Sequence, residues 1–365
     1  MPRPRRRSRT LVAAVAAAAV AGLLGAVVTP SPAGASVGSD DFRAGEAYHG
    51  DFPDPAVLRV GSTYYAYATN TGGKLLPAMS SEDLHSWRAR PSASGKWWQN
   101  DALAAAPSWA RPHFGHGKWR VSTWAPSVAR VQGRYVAAYV APVRLLPQRM
   151  CISFAYAATP LGPFVDGSAA PAVCPVDQGA IDPDFYVDRF GKPFLVFKSE
   201  GIPGLVPTRL WTMRMNRSAT GFLPGARPVN LLTTALPWEG NVIENPSMVR
   251  HDGRIYLFYS ANDYRTAGYA TGYAICRTPM GPCRRQGRQP LLASGGSVSG
   301  PGGSDAFVDG AGRLRLAYAA WSRDRVGYPT STGCRGTAAG CNQRRMHVAT
   351  LAVGPGGRLS VADRG

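Results

Sequence analysis

Three carboxylates stand at matching places in a repeated phrase. Asp54 opens Asp54-Pro55-Ala56-Val57, Asp182 opens Asp182-Pro183-Asp184-Phe185, and Glu244 directly precedes Asn245-Pro246-Ser247-Met248. They lie 128 and 62 residues apart. One such acid alone means little, since Asp before Pro is commonly a turn residue that bonds its own backbone. Together they suit the acid–base cleavage of a glycosidic bond. One carboxyl protonates the leaving oxygen, and another activates water or attacks directly. A third acid can hold the donor's pKa and orientation, because nearby negative charge keeps a carboxyl protonated. Asp51 competes with Asp54 for its place, Asp184 with Asp182, and Glu239 with Glu244.

The elements that must bring these acids together are written in the same phrase, which occurs five times. The second and fifth copies begin at Ala125-Pro126-Ser127-Val128 and Ser304-Asp305-Ala306-Phe307. Each copy runs through a turn glycine into an alternating strand such as Tyr64-Tyr65-Ala66-Tyr67-Ala68-Thr69 or Ile255-Tyr256-Leu257-Phe258-Tyr259-Ser260. Period-two aromatic and β-branched residues after a glycine turn predict the second strand of a hairpin. The segment before the glycine is then the first strand, and proline is tolerated at its start, where no ladder donor is lost. Gly61, Gly133, Gly191, Gly253 and Gly312 are spaced 72, 58, 62 and 59 residues apart. Repetition at that period predicts an all-β chain folded as a five-bladed β-propeller, with four antiparallel strands per blade. A weaker repeat marks a second blade position: Thr159-Pro160-Leu161-Gly162-Pro163 and Thr278-Pro279-Met280-Gly281-Pro282. If the innermost strand comes first, a propeller gathers the phrase starts around one channel. Asp54, Asp182 and Glu244 then converge.

The first 35 residues predict a removable secretory leader. Arg3, Arg5, Arg6, Arg7 and Arg9 form a basic region, Leu11 to Val28 is uninterruptedly apolar, and Ala33-Gly34-Ala35 supplies small residues for cleavage. An alanine-rich run so close to that site argues against a membrane anchor. Arg9 stands where a twin-arginine signal prefers an apolar residue, which favours the general secretory route. Residues 36–365 then form one domain, because no linker or change of composition divides them.

The six cysteines suit an exported protein with disulfides, and proximity suggests Cys151–Cys174, Cys276–Cys283 and Cys334–Cys341. The formal charge is +19, and losing the five leader arginines leaves +14. The arginines are scattered, with no basic helix or aromatic cluster of a nucleic-acid reader. A solvated basic surface is the expectation, without a nucleic-acid partner or stable membrane association.

At this resolution of motif the chain resembles glycoside hydrolase family 43, the arabinanase, arabinofuranosidase and β-xylosidase-like propellers, over essentially all of residues 36–365. Phe52-Pro53-Asp54-Pro55-Ala56-Val57 resembles the family's first-blade motif, whose Asp is the general base. Ile181-Asp182-Pro183-Asp184-Phe185 resembles the third-blade motif, whose Asp tunes and orients the acid. Val242-Ile243-Glu244-Asn245-Pro246-Ser247 resembles the Glu-Gly-Pro motif of the general acid, with Asn245 in place of glycine. The alignment therefore favours Asp54, Asp182 and Glu244 over their neighbours. Ser81-Glu82-Asp83-Leu84-His85-Ser86-Trp87, Thr123-Trp124-Ala125-Pro126-Ser127 and Gly300-Pro301-Gly302-Gly303-Ser304 resemble further family loops, and Trp124 is expected at the pocket wall, its ring against a sugar.

The resemblance implies a secreted catalytic domain acting as a monomer on polysaccharide or oligosaccharide, by inversion, with its two working carboxyls about 6.5–9.5 Å apart. Arabinofuranosyl linkages are the first expectation, with a β-xylosidase or a non-catalytic carbohydrate-binding propeller as alternatives. No cofactor is implied. Many members carry a histidine near an axial cation or water where this chain reads Tyr318-Ala319-Ala320-Trp321, which argues against a structural calcium.

Overall fold

The computed structural model describes residues 50–71, 73–89, 101–115, 118–146, 149–175, 179–202, 205–328 and 342–365. The expected leader and Cys334–Cys341 lie outside them. The chain is all-β, and five sheets follow one another in sequence. The first blade is β1 (Ala56–Val60), β2 (Thr63–Tyr67), β3 (Ala78–Ser81) and β4 (Arg88–Ala89). A two-stranded hairpin follows, β5 (His113–Gly115) and β6 (Lys118–Arg120). The second blade is β7 (Trp124–Val131), β8 (Arg134–Pro142) and β9 (Met150–Ala157). The third is β10 (Ala180–Val187), β11 (Pro193–Ser199), β12 (Arg209–Arg214) and β13 (Val229–Thr233). The fourth is β14 (Ile243–His251), β15 (Arg254–Ala261), β16 (Ala270–Cys276) and β17 (Cys283–Arg285). The fifth is β18 (Val298–Val308), β19 (Leu314–Ser322), β20 (Arg345–Val353) and β21 (Leu359–Asp363).

Five blades are thus present, and among the described residues four of their sheets have four strands. In the second, the outer position shrinks to isolated antiparallel bridges of β9, Tyr156 with Val165 and Ile152 with Val173.

The first strand of each sheet is the innermost, since β1, β7, β10, β14 and β18 pack against one another in a closed ring. The alternation seen in sequence explains how the ring is held. Strands buried on both faces send alternate residues to different seams. Tyr135, Ala137 and Tyr139 of β8 face the first blade, whereas Val136, Ala138 and Val140 face the third. On β15, Ile255, Leu257 and Tyr259 enter the seam with blade three, and Tyr256 and Phe258 that with blade five. Each fully buried side chain of this size contributes about 1.5–3 kcal/mol.

The last seam joins Phe307, Ala317 and Met346 to Val57, Tyr64 and Met79. Val57 N–H donates across it to Asp305 Oδ2 at 2.6 Å, and Gly310 N–H to the Tyr64 hydroxyl at 2.8 Å. Cys151–Cys174 and Cys276–Cys283 are both bonded, each within one blade. The two Thr-Pro-x-Gly-Pro turns share one geometry. Thr159 and Thr278 each donate from Oγ1 to the carbonyl of the glycine three residues on, at 2.6 and 2.7 Å.

One expectation of register is corrected. The residue that opens the phrase adopts a left-handed backbone in every blade: Asp54, Ala125, Asp182, Asn245 and, in the fifth, Gly303. Ser304, read from sequence as the fifth start, is one residue late and matches the prolines. A one-residue slip changes the face a strand residue presents, and the run Gly300-Pro301-Gly302-Gly303 gave no side chain by which to fix it. Ala125, Asp182, Asn245 and Gly303 sit at β-bulges, with register shifts between Trp124 and Ser127, Ile181 and Asp184, Glu244 and Ser247, and Gly302 and Asp305, whereas Asp54 lies just ahead of β1. A bulge bends the strand and re-aims the side chain at its start.

Candidate active site

The re-aimed side chains open into a cleft of about 480 Å³ at the end of the propeller where the inner strands begin. Asp54, Asp182, Glu244 and Trp124 all line it. They come from blades one, three, four and two. Trp124 is 38% exposed and occupies the place just ahead of the bulge, as Glu244 does in its own blade.

Asp54 is held from two sides. Thr69 Oγ1 donates to Oδ2 at 2.7 Å and receives the Ala125 N–H at 2.8 Å, which ties the first blade to the second. Arg344 Nη1 lies 3.1 Å from Oδ1. The guanidinium is buried between the rings of Tyr264 and Tyr269, 5.4 and 5.6 Å from their centroids. Burial opposes its charge, but Asp54, Tyr269, Tyr328 and Asp51 outweigh that and hold Arg344 above the ordinary arginine range.

Glu244 accepts from Lys198 Nζ at Oε2 and from the Tyr269 hydroxyl at Oε1, both at 2.8 Å. Lys198 also donates to Glu200 at 3.2 Å. Although burial disfavours its charge, the carboxylates of Glu244, Glu200 and Asp182 keep this lysine protonated well beyond its usual range. Asp182 is buried and accepts the Asn245 N–H at 2.9 Å. Burial first, and the charge of Glu244 second, push its pKa well above the carboxylate range. The Asp182/Glu244 pair therefore retains a proton at a pH where a solvated carboxyl has lost it.

The competing acids have other surroundings. Asp51 lines the cleft and is buried, accepting from the Arg344 N–H at 2.8 Å and from the Tyr328 hydroxyl at 3.0 Å; burial pushes it up to about 7. Asp184 faces away from the cleft into a belt around the axis. There it accepts from Ser127 Oγ and the Met248 N–H, at 3.0 and 2.8 Å, and feels Asp305. Glu239 is buried beside the fourth blade, bonded to Arg285 Nε at 2.6 Å and the Tyr259 hydroxyl at 2.8 Å. It does not line the cleft.

Lys198, Tyr269, Arg344 and Thr69 were not singled out from sequence. A signal existed for Lys198, a lone charge ending the apolar run Phe194-Leu195-Val196-Phe197. Arg344 carried none, being one of many scattered arginines. The small residues of the fifth blade also have a role unseen in sequence. A Cβ on Gly303 would lie 2.5 Å from Asp54 Oδ1 and 2.8 Å from Arg344 Nη2, so glycine there lets this ion pair approach the axis.

The arrangement has relatives. A family model described as glycosyl hydrolases family 43 matches residues 48–339. The chain is 25% identical over 281 residues to the extracellular endo-α-(1→5)-L-arabinanase 1 of Bacillus subtilis (strain 168), covering 73% of this chain and 79% of that protein. Among solved structures, a thermostable family-43 glycoside hydrolase superposes with a TM-score of 0.68 at 23% identity, covering 87% of this chain and 95% of the other. An endo-1,4-β-xylanase of Bacteroides thetaiotaomicron VPI-5482 gives 0.64 at 24%, covering 87% and 96%. Such structural likeness shows the propeller and does not choose a sugar. With the family match spanning most of its length, the chain belongs to glycosyl hydrolase family 43 and is a glycoside hydrolase.

Proposed function

We propose that this protein is a secreted, inverting hydrolase of arabinofuranosyl linkages in arabinan-type polysaccharide. The observation that carries the proposal is the convergence of Asp54, Asp182 and Glu244 in one cleft with three different sets of partners. Asp54, oriented by Thr69 and Arg344, takes a proton from water as the water attacks the anomeric carbon. Glu244 gives its proton to the departing glycosidic oxygen, so the sugar–oxygen bond breaks as the water–carbon bond forms. Asp182 orients the acid and resists loss of the pair's shared proton. Lys198 and Tyr269 fix the two oxygens of Glu244, and Trp124 offers its ring to the sugar. The reaction so written needs only water and the two carboxyls, and no cofactor.

Arabinan is favoured over xylan by the named activity of the Bacillus relative. Secretion is supported by that relative's extracellular description, by the leader expected from the sequence of residues 1–35 and by the disulfides. Residues 36–365 then form one catalytic domain, acting as a monomer.

The test is product analysis on linear arabinan, arabinoxylan and xylo-oligosaccharides, with NMR following the anomer first released. Inverted arabinose or arabino-oligosaccharide ends are expected. Glu244→Gln should lower kcat on arabinan by about 10²–10⁴-fold, with less loss on an aryl arabinofuranoside whose leaving group needs no proton. Release of xylose alone, retained configuration, or an unimpaired Glu244→Gln enzyme on arabinan would overturn the assignment.

A further inference from the structure

The connection between the first two blades carries something the propeller does not require. Strands β5 and β6 pair only with each other and belong to no blade. Phe114 and Trp119 face one another in register across this hairpin, their ring centroids 5.6 Å apart and their planes at 70°. Neither is covered: Phe114 is 64% exposed and Trp119 70%. Large aromatic groups left adjacent in water mark interaction surfaces more often than they serve the fold. Here the edge-to-face contact holds both rings in place before anything binds.

The hairpin is also joined to the cleft. Trp119 is three residues from Ser122, which lines the cleft, so their Cα atoms are at most about 11 Å apart. Arg120 packs its guanidinium over Gly73 in the β2–β3 loop, and the Thr123 N–H bonds Asn70 of that loop, another cleft residue. Trp124 follows, half-exposed within the cleft itself. A short stretch of chain thus joins the paired rings of the hairpin to Trp124 in the cleft.

We infer that the β5–β6 hairpin is a distal sugar-binding platform, on which Trp119 and Phe114 hold arabinosyl units of the chain whose scissile bond lies in the cleft. The inference rests on the arabinan reading above. The carbon-bound hydrogens on one face of a sugar ring make an apolar patch that suits an aromatic surface, whereas the adjoining Arg120 can bond hydroxyls. A platform outside the cleft gives purchase only to a polymer that runs past the cleaved bond. The hairpin therefore selects chain length.

The experiment compares kcat/KM on linear arabinan with that on 4-nitrophenyl α-L-arabinofuranoside and arabinobiose, for the full-length secreted enzyme and its Trp119→Ala, Trp119→Phe and Phe114→Ala variants. Trp119→Ala should lose about tenfold on arabinan through a raised KM, the size expected for one lost ring contact. The two small substrates should change by less than about twofold, and Trp119→Phe should recover most of the loss.

An equal loss on all substrates would make the pair a structural clip and overturn the inference. So would an unchanged polymer-to-small-substrate ratio, including one accompanied by a change in oligomeric state on size-exclusion chromatography. Failure of the wild-type enzyme to cut arabinan would remove the arabinan reading and this inference together. Wild-type cutting with an unchanged ratio in Trp119→Ala would remove the inference alone.

Discussion

Replacing Lys198 by Met tests the charge arrangement at its centre. The ammonium is buried, 2.8 Å from Glu244 and 3.2 Å from Glu200. At an effective dielectric near 20, the attraction to Glu244 alone is worth about 6 kcal/mol before desolvation. Removing one partner of such a buried pair costs roughly 3–5 kcal/mol, because the other charge is left uncompensated. Methionine fills a similar volume, so the loss is electrostatic.

Without the ammonium, the Asp182/Glu244 pair holds its proton in the folded state to a higher pH than the unfolded chain does. Stability then falls as pH rises, since the folded state carries more protons. The destabilisation should grow as pH rises above the ordinary carboxylate range, read by urea unfolding at each pH. Activity should fall about 10–100-fold as Glu244 loses its orientation. The alkaline limb of kcat/KM should move to higher pH. An alkaline limb that stays in place, or moves down, would refute the account of Lys198 as the charge that limits the acid pair's hold on its proton.

Two further substitutions probe the scaffold. In Gly303→Ala the new Cβ would meet both Asp54 and Arg344, in a left-handed conformation costing about 1–2 kcal/mol. Activity should therefore drop at least tenfold while the thermal midpoint falls by only a few degrees, and a fully active variant would contradict the placement of Asp54. Asp305, in the axial belt, is pushed up to about 6, chiefly by burial and against the hydrogen bonds from the Val57 N–H, Ser247 Oγ and the Ala306 N–H. Its proton is held in the folded state above the pH where the unfolded chain releases it, so it makes stability decline between about pH 4 and pH 6. Asp305→Asn can accept the Val57 N–H at its oxygen and donate its amide to Ser247 Oγ, and should flatten that part of the stability–pH curve, measured by chemical denaturation; an unaltered slope would count against it.

Particular residues show what was legible before the fold was known. The alternation on β8 and β15 read correctly because residues buried on both faces of a strand must be apolar at every step, whatever lies beyond. The turn glycines spaced the blades, and the two short-range disulfides followed from proximity. The fifth blade misled: Gly300 to Gly303 offered no side chain to set register, and its start was read one residue late. The outer edge of blade two also departed from pattern, because an edge strand buries little and leaves little trace in composition.

The sequence by itself determined the repeat, and with it the fold and the three acids at its inner starts. Only the tertiary structure decided what those acids touch. Lys198, Tyr269 and Arg344 reach Glu244 and Asp54 from distant parts of the chain, across 46, 25 and 290 residues. Their meeting depends on the angle at which five seams close a ring. Each seam is set by the packing of side chains from two blades, a property that no single repeat contains.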